Sequence, residues 1–416
     1  MTAWHDDTVR AAFPALALVD EGVARLYADA PGGTQVCGRT IERMREAMVD
    51  HCANEGGVFR TSRATDDWMT RVHAAAAEFF NADADEVVFG LNTTSLVFHF
   101  SRMMARTWQP GDNILVTRMD HDSNIGPWML AAAERGVDVR FLDFDPLTFR
   151  YRYDTLGTLV DARTRLIACN HASNFLGTIN DVQAIVSAGR AVGAMTVVDA
   201  VQSAAHMALD ARAIGCDILS TSPYKYFGPH AGVMYVRRDF ADALVPPLKV
   251  RPSPMTMPHR HAPGTPSFEA QLGTYGCFEH VAWLGEQMGG AAVGSSLRDR
   301  MVAGFAAATV HETALSCRFL AGVAALPHVT VHGITDPAQV HDRVPTFSFS
   351  VRNVAPQAVA ERFAARNQYV WAGSFYAMEA AMRLGVWDSG VVRFGLAHYN
   401  TAAEVDALLE TLDGLR

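Results

Sequence analysis

The sequence predicts an α/β protein, with a large domain built on a parallel sheet followed by a smaller α+β domain, and two patterns carry this expectation. From Glu86 to His206, short β-branched apolar runs alternate with helix-like stretches, the mark of parallel strands joined by crossover helices. Beyond Thr265 that alternation gives way to two long helical stretches and then to a mixture of strands and helices.

In chain order, the expected strands of the first region are Glu86 to Phe89, Asn113 to Thr117, Asp138 to Leu142, Leu166 to Cys169 and Thr196 to Asp199, with a short one at Cys216 to Ser220. Helices are expected between them at Ser95 to Thr107, Ile125 to Arg135 and Val182 to Val192. Gln271 to Met288 and the Ala-rich Ser295 to Leu326 read as long helices. Val329 to His332 and Thr346 to Val351 read as strands, Pro356 to Arg366 as a helix, Val391 to Leu396 as a strand, and Ala402 to Leu415 as the closing helix. The chain therefore divides into an N-terminal segment, residues 1–25, packing on the small domain; a large domain, residues 26–288; and a small C-terminal domain, residues 289–416, with the boundary near Gly289-Gly290. Ligand chemistry in such sheets gathers at the strand C-termini.

At 416 residues, with 49% hydrophobic and 19% charged residues, the chain has the composition of a soluble globular protein of two domains. Its net charge of -9, with no Lys/Arg block, argues against nucleic acid or an anionic membrane as partner. The N-terminus lacks the basic-then-apolar pattern of a signal peptide, and no apolar run reaches the ~18 residues of a membrane span. A cytoplasmic enzyme is the simplest reading. The six cysteines are scattered without Cys-x-x-Cys spacing, so free thiols are expected rather than disulfides or zinc. His259-Arg260-His261 is better explained by its Pro-rich loop than by a metal, and no metal site is expected.

Only two of the 35 basic residues are lysines, and one of them, Lys225, sits in the aromatic stretch Ser222-Pro223-Tyr224-Lys225-Tyr226-Phe227. An arginine cannot lose its proton or condense with an aldehyde, whereas a desolvated lysine can do both. Amine chemistry is therefore expected at Lys225. At Val87 to Ser95 a strand turns into a helix through Asn92-Thr93-Thr94, where free amides and hydroxyls favour a phosphate, although a plain N-cap explains the same residues. The apolar run Thr196-Val197-Val198 ends in Asp199, a carboxylate suited to a protonated pyridine nitrogen or to capping a helix. Asp199 and Lys225 read jointly as a pyridoxal phosphate pocket.

Five ordered motifs, Asn92-Thr93-Thr94, Asp120-His121-Asp122-Ser123-Asn124, His171-Ala172-Ser173-Asn174, Asp199-Ala200-Val201-Gln202 and Ser222-Pro223-Tyr224-Lys225, make the chain resemble the class V aminotransferase family of fold type I pyridoxal phosphate enzymes, and within it the cysteine desulfurase group. The resemblance implies a mainly parallel seven-stranded sheet between helices in the large domain. It implies Lys225 as the residue that condenses with the cofactor and then carries the substrate proton, and His121 stacked on the ring. Asp199 would pair with the ring nitrogen, Asn174 and Gln202 with the ring oxygen, and Thr93, Thr94, Ser222 and Tyr224 with the phosphate. Thr265 matches a segment that crosses a homodimer interface, so the active site would be shared between subunits. Arg393 would clamp the α-carboxylate of an amino-acid substrate, and Arg60 would contact the substrate or bridge the dimer.

The resemblance breaks at the loop Tyr369 to Met378, where Tyr376 occupies the place of the desulfurase cysteine and Trp371 that of a second arginine. A phenol cannot form a persulfide. The expected activity is therefore a C–S β-lyase acting on cysteine, a cysteine S-conjugate or a sulfoxide, with Tyr376 either protonating the departing sulfur or walling the pocket. The alternatives are a desulfurase using another thiol, an aminotransferase or epimerase, and a cofactor-holding regulatory or inactive partner subunit.

Overall fold

The computed structural model describes residues 4–244 and 247–416. Seven strands form the central sheet: β1 (Val87–Gly90), β2 (Asn113–Thr117), β3 (Asp138–Leu142), β4 (Thr164–Asn170), β5 (Met195–Asp199), β6 (Ile218–Thr221) and β7 (Gly232–Val236). Their order is β1-β7-β6-β5-β4-β2-β3, and every neighbouring pair is parallel except those made by β7. β7 follows β6 after too few residues for a crossover helix, so it returns antiparallel.

Strand residues alternate between two apolar faces. Ile114, Val116, Ala168, Val197 and Met234 pack under α3 (Thr93–Met104) and α4 (Gly126–Arg135), which follow α1 (Gly38–Val49) and α2 (Arg60–Phe80) in the chain. Leu115, Ile167, Val198, Leu219 and Val233 face a second layer that includes Met69, Val72 and Phe80 of the helix Arg60–Phe80 and Ile185 and Val186 of α5 (Val182–Val192). A sheet covered on both faces is the buried arrangement that parallel pairing requires. The helix ends follow local chemistry: Asn92 caps α3 by accepting from the Ser95 amide (2.8 Å), and Asp181 caps α5 through the Ala184 amide (3.1 Å).

The long helices α6 (Phe268–Gln287) and α7 (Leu297–Val323) flank the expected boundary at Gly289-Gly290. α7 serves both cores: Met301 and Phe305 join the large one, whereas Leu315, Phe319 and Leu320 join the small one. The small sheet, β8 (Val329–His332), β9 (Thr346–Val351), β10 (Trp371–Gly373) and β11 (Val391–Gly395), runs β8-β9-β11-β10 and is antiparallel throughout. The N-terminal segment touches both domains. Phe13 and Leu16 enter the large core, while Arg10 pairs with Glu404 (2.9 Å); just past that segment, Leu26–Tyr27 pairs in parallel with Gln368–Tyr369.

α6 and α7 cross with their backbones in contact, because a side chain on Gly285 would collide with the Arg300 carbonyl and one on Gly304 with that of Val281. Gly304→Ala is expected to destabilise the protein by about 1–3 kcal/mol through overpacking. The check is urea denaturation, read as a lowered midpoint at unchanged slope.

Candidate active site

Parallel pairing brings the chemistry to one edge of the sheet. Asp199 ends β5 in register with Ser220 of β6, and one turn beyond β6 the chain presents Ser222, Tyr224 and Lys225 at the same C-terminal edge. Gly232 of β7 backs the turn into α3, where any side chain would strike the Asn92–Thr93 peptide. Thr93 Oγ1 donates to the Thr221 carbonyl (2.8 Å) and shares a hydrogen bond with Ser222 Oγ (2.6 Å), which fixes the hydroxyls around the helix start. Together with Thr94, His121, Asn174, Gln202 and Arg393 these residues line a cavity of about 290 Å³.

Burial sets the protonation of the cavity. The Lys225 amine donates to the carbonyls of Pro31 and Gly32, the latter at 2.8 Å. Its pKa falls to about 7, chiefly by desolvation and then by the Arg393 charge, against the opposing pull of Asp29 and Asp199. Desolvation also raises Asp199 to about 6, opposed by the Val201 N–H that donates to its Oδ1 (2.8 Å). His121 is lowered to about 4 by burial, with Lys225 and Arg393 adding to the shift. The ring is thus neutral, with its Nδ1 accepting from the Ser123 amide (3.1 Å).

The donor set fits pyridoxal phosphate. The start of α3 offers unpaired amides and the hydroxyls of Thr93, Thr94 and Ser222 to an anion. Asp199 offers a buried carboxylate to a cationic ring nitrogen, and Lys225 offers a partly unprotonated amine to an aldehyde. Asn174 Oδ1 and Arg393 Nε are buried at this cavity without hydrogen-bond partners, as expected where a polar ligand completes the wall. Gln202 is turned to the Pro31 carbonyl (3.0 Å). Tyr224 stacks on His230 (4.7 Å) and lies 4.6 Å beneath the Lys225 amine.

Arg393 is buried on β11, with Nη1 donating to the Asn174 carbonyl (3.0 Å) and its guanidinium 4.0 Å from the centre of the Phe375 ring. Phe375 and Tyr376 both carry left-handed backbones, with φ of 58° and 55°. Two bonds pin this costly conformation: Asn174 Nδ2 donates to the Phe375 carbonyl (2.9 Å), and the Asp122 amide to that of Tyr376 (2.7 Å). The Tyr376 ring consequently sits 5.3 Å from that of His121.

Thr265, expected to reach a partner subunit's phosphate, and Arg60 both lie outside this cavity. Thr265 lines a separate cavity with His73 and His259, and Arg60 is exposed at the first residue of its helix. None of the six cysteines lines the site; Cys37 is packed against Thr40 and the Gly276 carbonyl. Among the described residues no group of three His, Cys, Asp or Glu is gathered as for a metal ion. The sequence reading passed over Asp29, which lies 3.8 Å from Arg393, and Phe375, which covers it. The turn residues of Asp29-Ala30-Pro31-Gly32-Gly33 were the available signal for the first.

The lowered Lys225 amine predicts that colour formation between apoprotein and pyridoxal phosphate rises through a midpoint near 7. An ordinary lysine would place it some three units higher. Lys225→Arg should leave only the spectrum of free pyridoxal phosphate, with no imine band in a visible absorption titration.

The sequence pattern of the family described as aminotransferase class-V matches residues 26–408. An aminotransferase-like protein of Gibberella zeae is 30% identical over 98% of this chain and 97% of its own length, and a cysteine desulfurase of Dickeya dadantii is 30% identical over 98% and 95%. Among solved structures, the apo cysteine desulfurase of Thermococcus onnurineus superposes with a TM-score of 0.87 at 25% identity, covering 100% of this chain and 99% of that one. With the cavity's donor set, these similarities lead to one conclusion: the chain belongs to the class-V aminotransferase family and is a pyridoxal-phosphate-dependent, cysteine desulfurase-like enzyme.

Proposed function

We propose that the protein is a C–S β-lyase that converts cysteine, a cysteine S-conjugate or a cysteine sulfoxide, with water, into sulfide, a thiol or the corresponding sulfenic acid, together with pyruvate and ammonia. The observation that carries this reading is the missing thiol. Sulfur relay needs a thiolate in the cavity, and the loop residue set against His121 is the phenol of Tyr376, with none of the six cysteines on the wall.

The chain's own groups serve such an elimination. Arg393 holds the α-carboxylate with a planar fork of donors. Lys225, with its amine poised near neutrality, takes the α-proton. The neutral His121 ring supplies a flat, uncharged face, and Asp199 would hold the ring nitrogen of bound pyridoxal phosphate in its protonated form. Bound pyridoxal phosphate supplies the electron sink. The Tyr376 phenol donates a proton to the departing sulfur, and Trp371 and Phe375 give its substituent an apolar wall. The reaction is redox-neutral: the Cα–H and Cβ–S bonds break as a Cα=Cβ bond forms, the sulfur leaves with a proton, and water hydrolyses the resulting enamine to pyruvate and ammonia.

A second reading, transamination, is favoured by the similarity to the aminotransferase-like protein of Gibberella zeae, and it shares every step up to removal of the α-proton. Products separate the two: an oxo acid that keeps its sulfur marks transamination, and altered chirality alone marks epimerisation. We place the enzyme in the cytoplasm as a homodimer. Six free thiols suit a reducing compartment. The exposed Val58 and Phe59 beside Arg60, and Leu91 beside Asn92, suit a face covered by a second subunit that brings Thr265 to the phosphate.

L-cysteine is expected to yield sulfide and pyruvate in equal amounts with no persulfide on the protein, read by product assay and intact mass; a persulfide would overturn the reading. Tyr376→Phe should lower kcat for cysteine by roughly 10²-fold, the range of a lost general acid. The same variant should leave β-chloroalanine turnover unchanged, because chloride departs without a proton.

A further inference from the structure

Arg393 already has a carboxylate beside it. Asp29 Oδ1 lies 3.8 Å from Arg393 Nη2 and is buried without a hydrogen bond. The backbone holds the two together: the residue-29 backbone bridges in parallel to Gly395 on β11, and the Gly395 amide donates to the Ala28 carbonyl (2.9 Å). The carboxylate sits in a niche that depends on Gly32, because a side chain there would overlap both Asp29 oxygens. The same turn receives the Lys225 amine on the Pro31 and Gly32 carbonyls, so it joins the carboxylate receptor to the reactive amine.

Resting on the reading of Arg393 as the carboxylate clamp, we propose that Asp29 is the resident counter-ion of Arg393, a positioning and specificity-determining residue that the substrate carboxylate displaces from the ion pair with uptake of a proton. Two carboxylates cannot both stay ionised at a single buried guanidinium. The groups facing Asp29 are Arg393 on β11, Lys225 and Tyr224 after β6, Tyr399 after β11 and the Trp371 indole on β10. Of these, Arg393 and Lys225 are the cations. Desolvation nevertheless raises Asp29 to about 6, within reach of protonation when a second anion arrives. In the empty pocket Asp29 keeps Arg393 from being a bare buried charge. It also imposes selectivity, because a ligand without an anionic group cannot displace it.

The test uses holoenzyme and propanoate, a carboxylate with no amine to condense, titrated calorimetrically in two buffers of different ionisation enthalpy so that protons are counted. Wild-type protein should bind propanoate at least about tenfold more tightly near pH 5 than near pH 8, taking up close to one proton near pH 8. Asp29→Asn should bind equally at both, without proton uptake, and more tightly than wild type near pH 8. Gly32→Ala, which expels the carboxylate from its niche while leaving residue 29 intact, should weaken the pH dependence and serves if Asp29→Asn does not fold. Unchanged pH dependence and proton uptake in Asp29→Asn, alongside lost binding in Arg393→Gln, overturns the role of Asp29 and leaves the clamp standing. Undiminished binding in Arg393→Gln removes the clamp and the proposal with it.

Discussion

The site depends on the desolvation of one amine. Lys225 is held by two main-chain carbonyls rather than by a carboxylate, so it gains hydrogen bonds without the ion pair that would hold its proton. Had Asp29 or Asp199 bonded to it directly, a neighbouring negative charge would have favoured the charged form. Arg393 instead adds a like charge to the same pocket, and both effects drive the amine towards neutrality.

Behind the lining lies a buried polar network. Asp120 accepts from Thr117 and from Asn124 Nδ2 (2.7 Å), and Asn124 Oδ1 accepts from the Trp128 indole (3.2 Å). Tyr151 donates to Asn170 Oδ1 (2.6 Å), which also takes Asn180 Nδ2 (2.9 Å). Burial, with the nearby Asp199 contributing, lifts Asp120 to about 8, so it stands neutral beside the Asp199 carboxylate. The network fixes the turn that carries His121. Its neutrality spares Asp199 a second negative charge at close range.

The two domains are joined where the chemistry is done. Leu26–Tyr27 pairs with the small domain and delivers Asp29 to Arg393, while the loop Phe375–Tyr376 reaches back to Asn174 and Asp122 of the large domain. α7 runs through both cores and links them. Arg393 and Phe375 are thereby held against Lys225 and Asp199 across one cavity.

The alternating apolar runs were legible because strand and helix periods are local: β2 and β3 fall on the expected residues, and α5 spans Val182–Val192 as its pattern indicates. Less legible were β7, β10 and the helices Gly38–Val49 and Arg60–Phe80, whose polar residues or short lengths blur the period. Residue chemistry singled out Lys225, Asp199, Thr93 and Thr94, the family resemblance added His121, Asn174, Gln202, Ser222, Tyr224, Tyr376 and Arg393, and all of them line one cavity. Asp29 escaped notice since its meaning comes from a residue 364 positions away, 393 minus 29. What the sequence alone determined was the set of reactive groups and their order along parallel strands, which depends on local pattern and side-chain chemistry. Their protonation, the pairing of Asp29 with Arg393 and the absence of a thiol from the wall were decided by the tertiary structure, because desolvation and charge proximity exist only once distant segments are packed together.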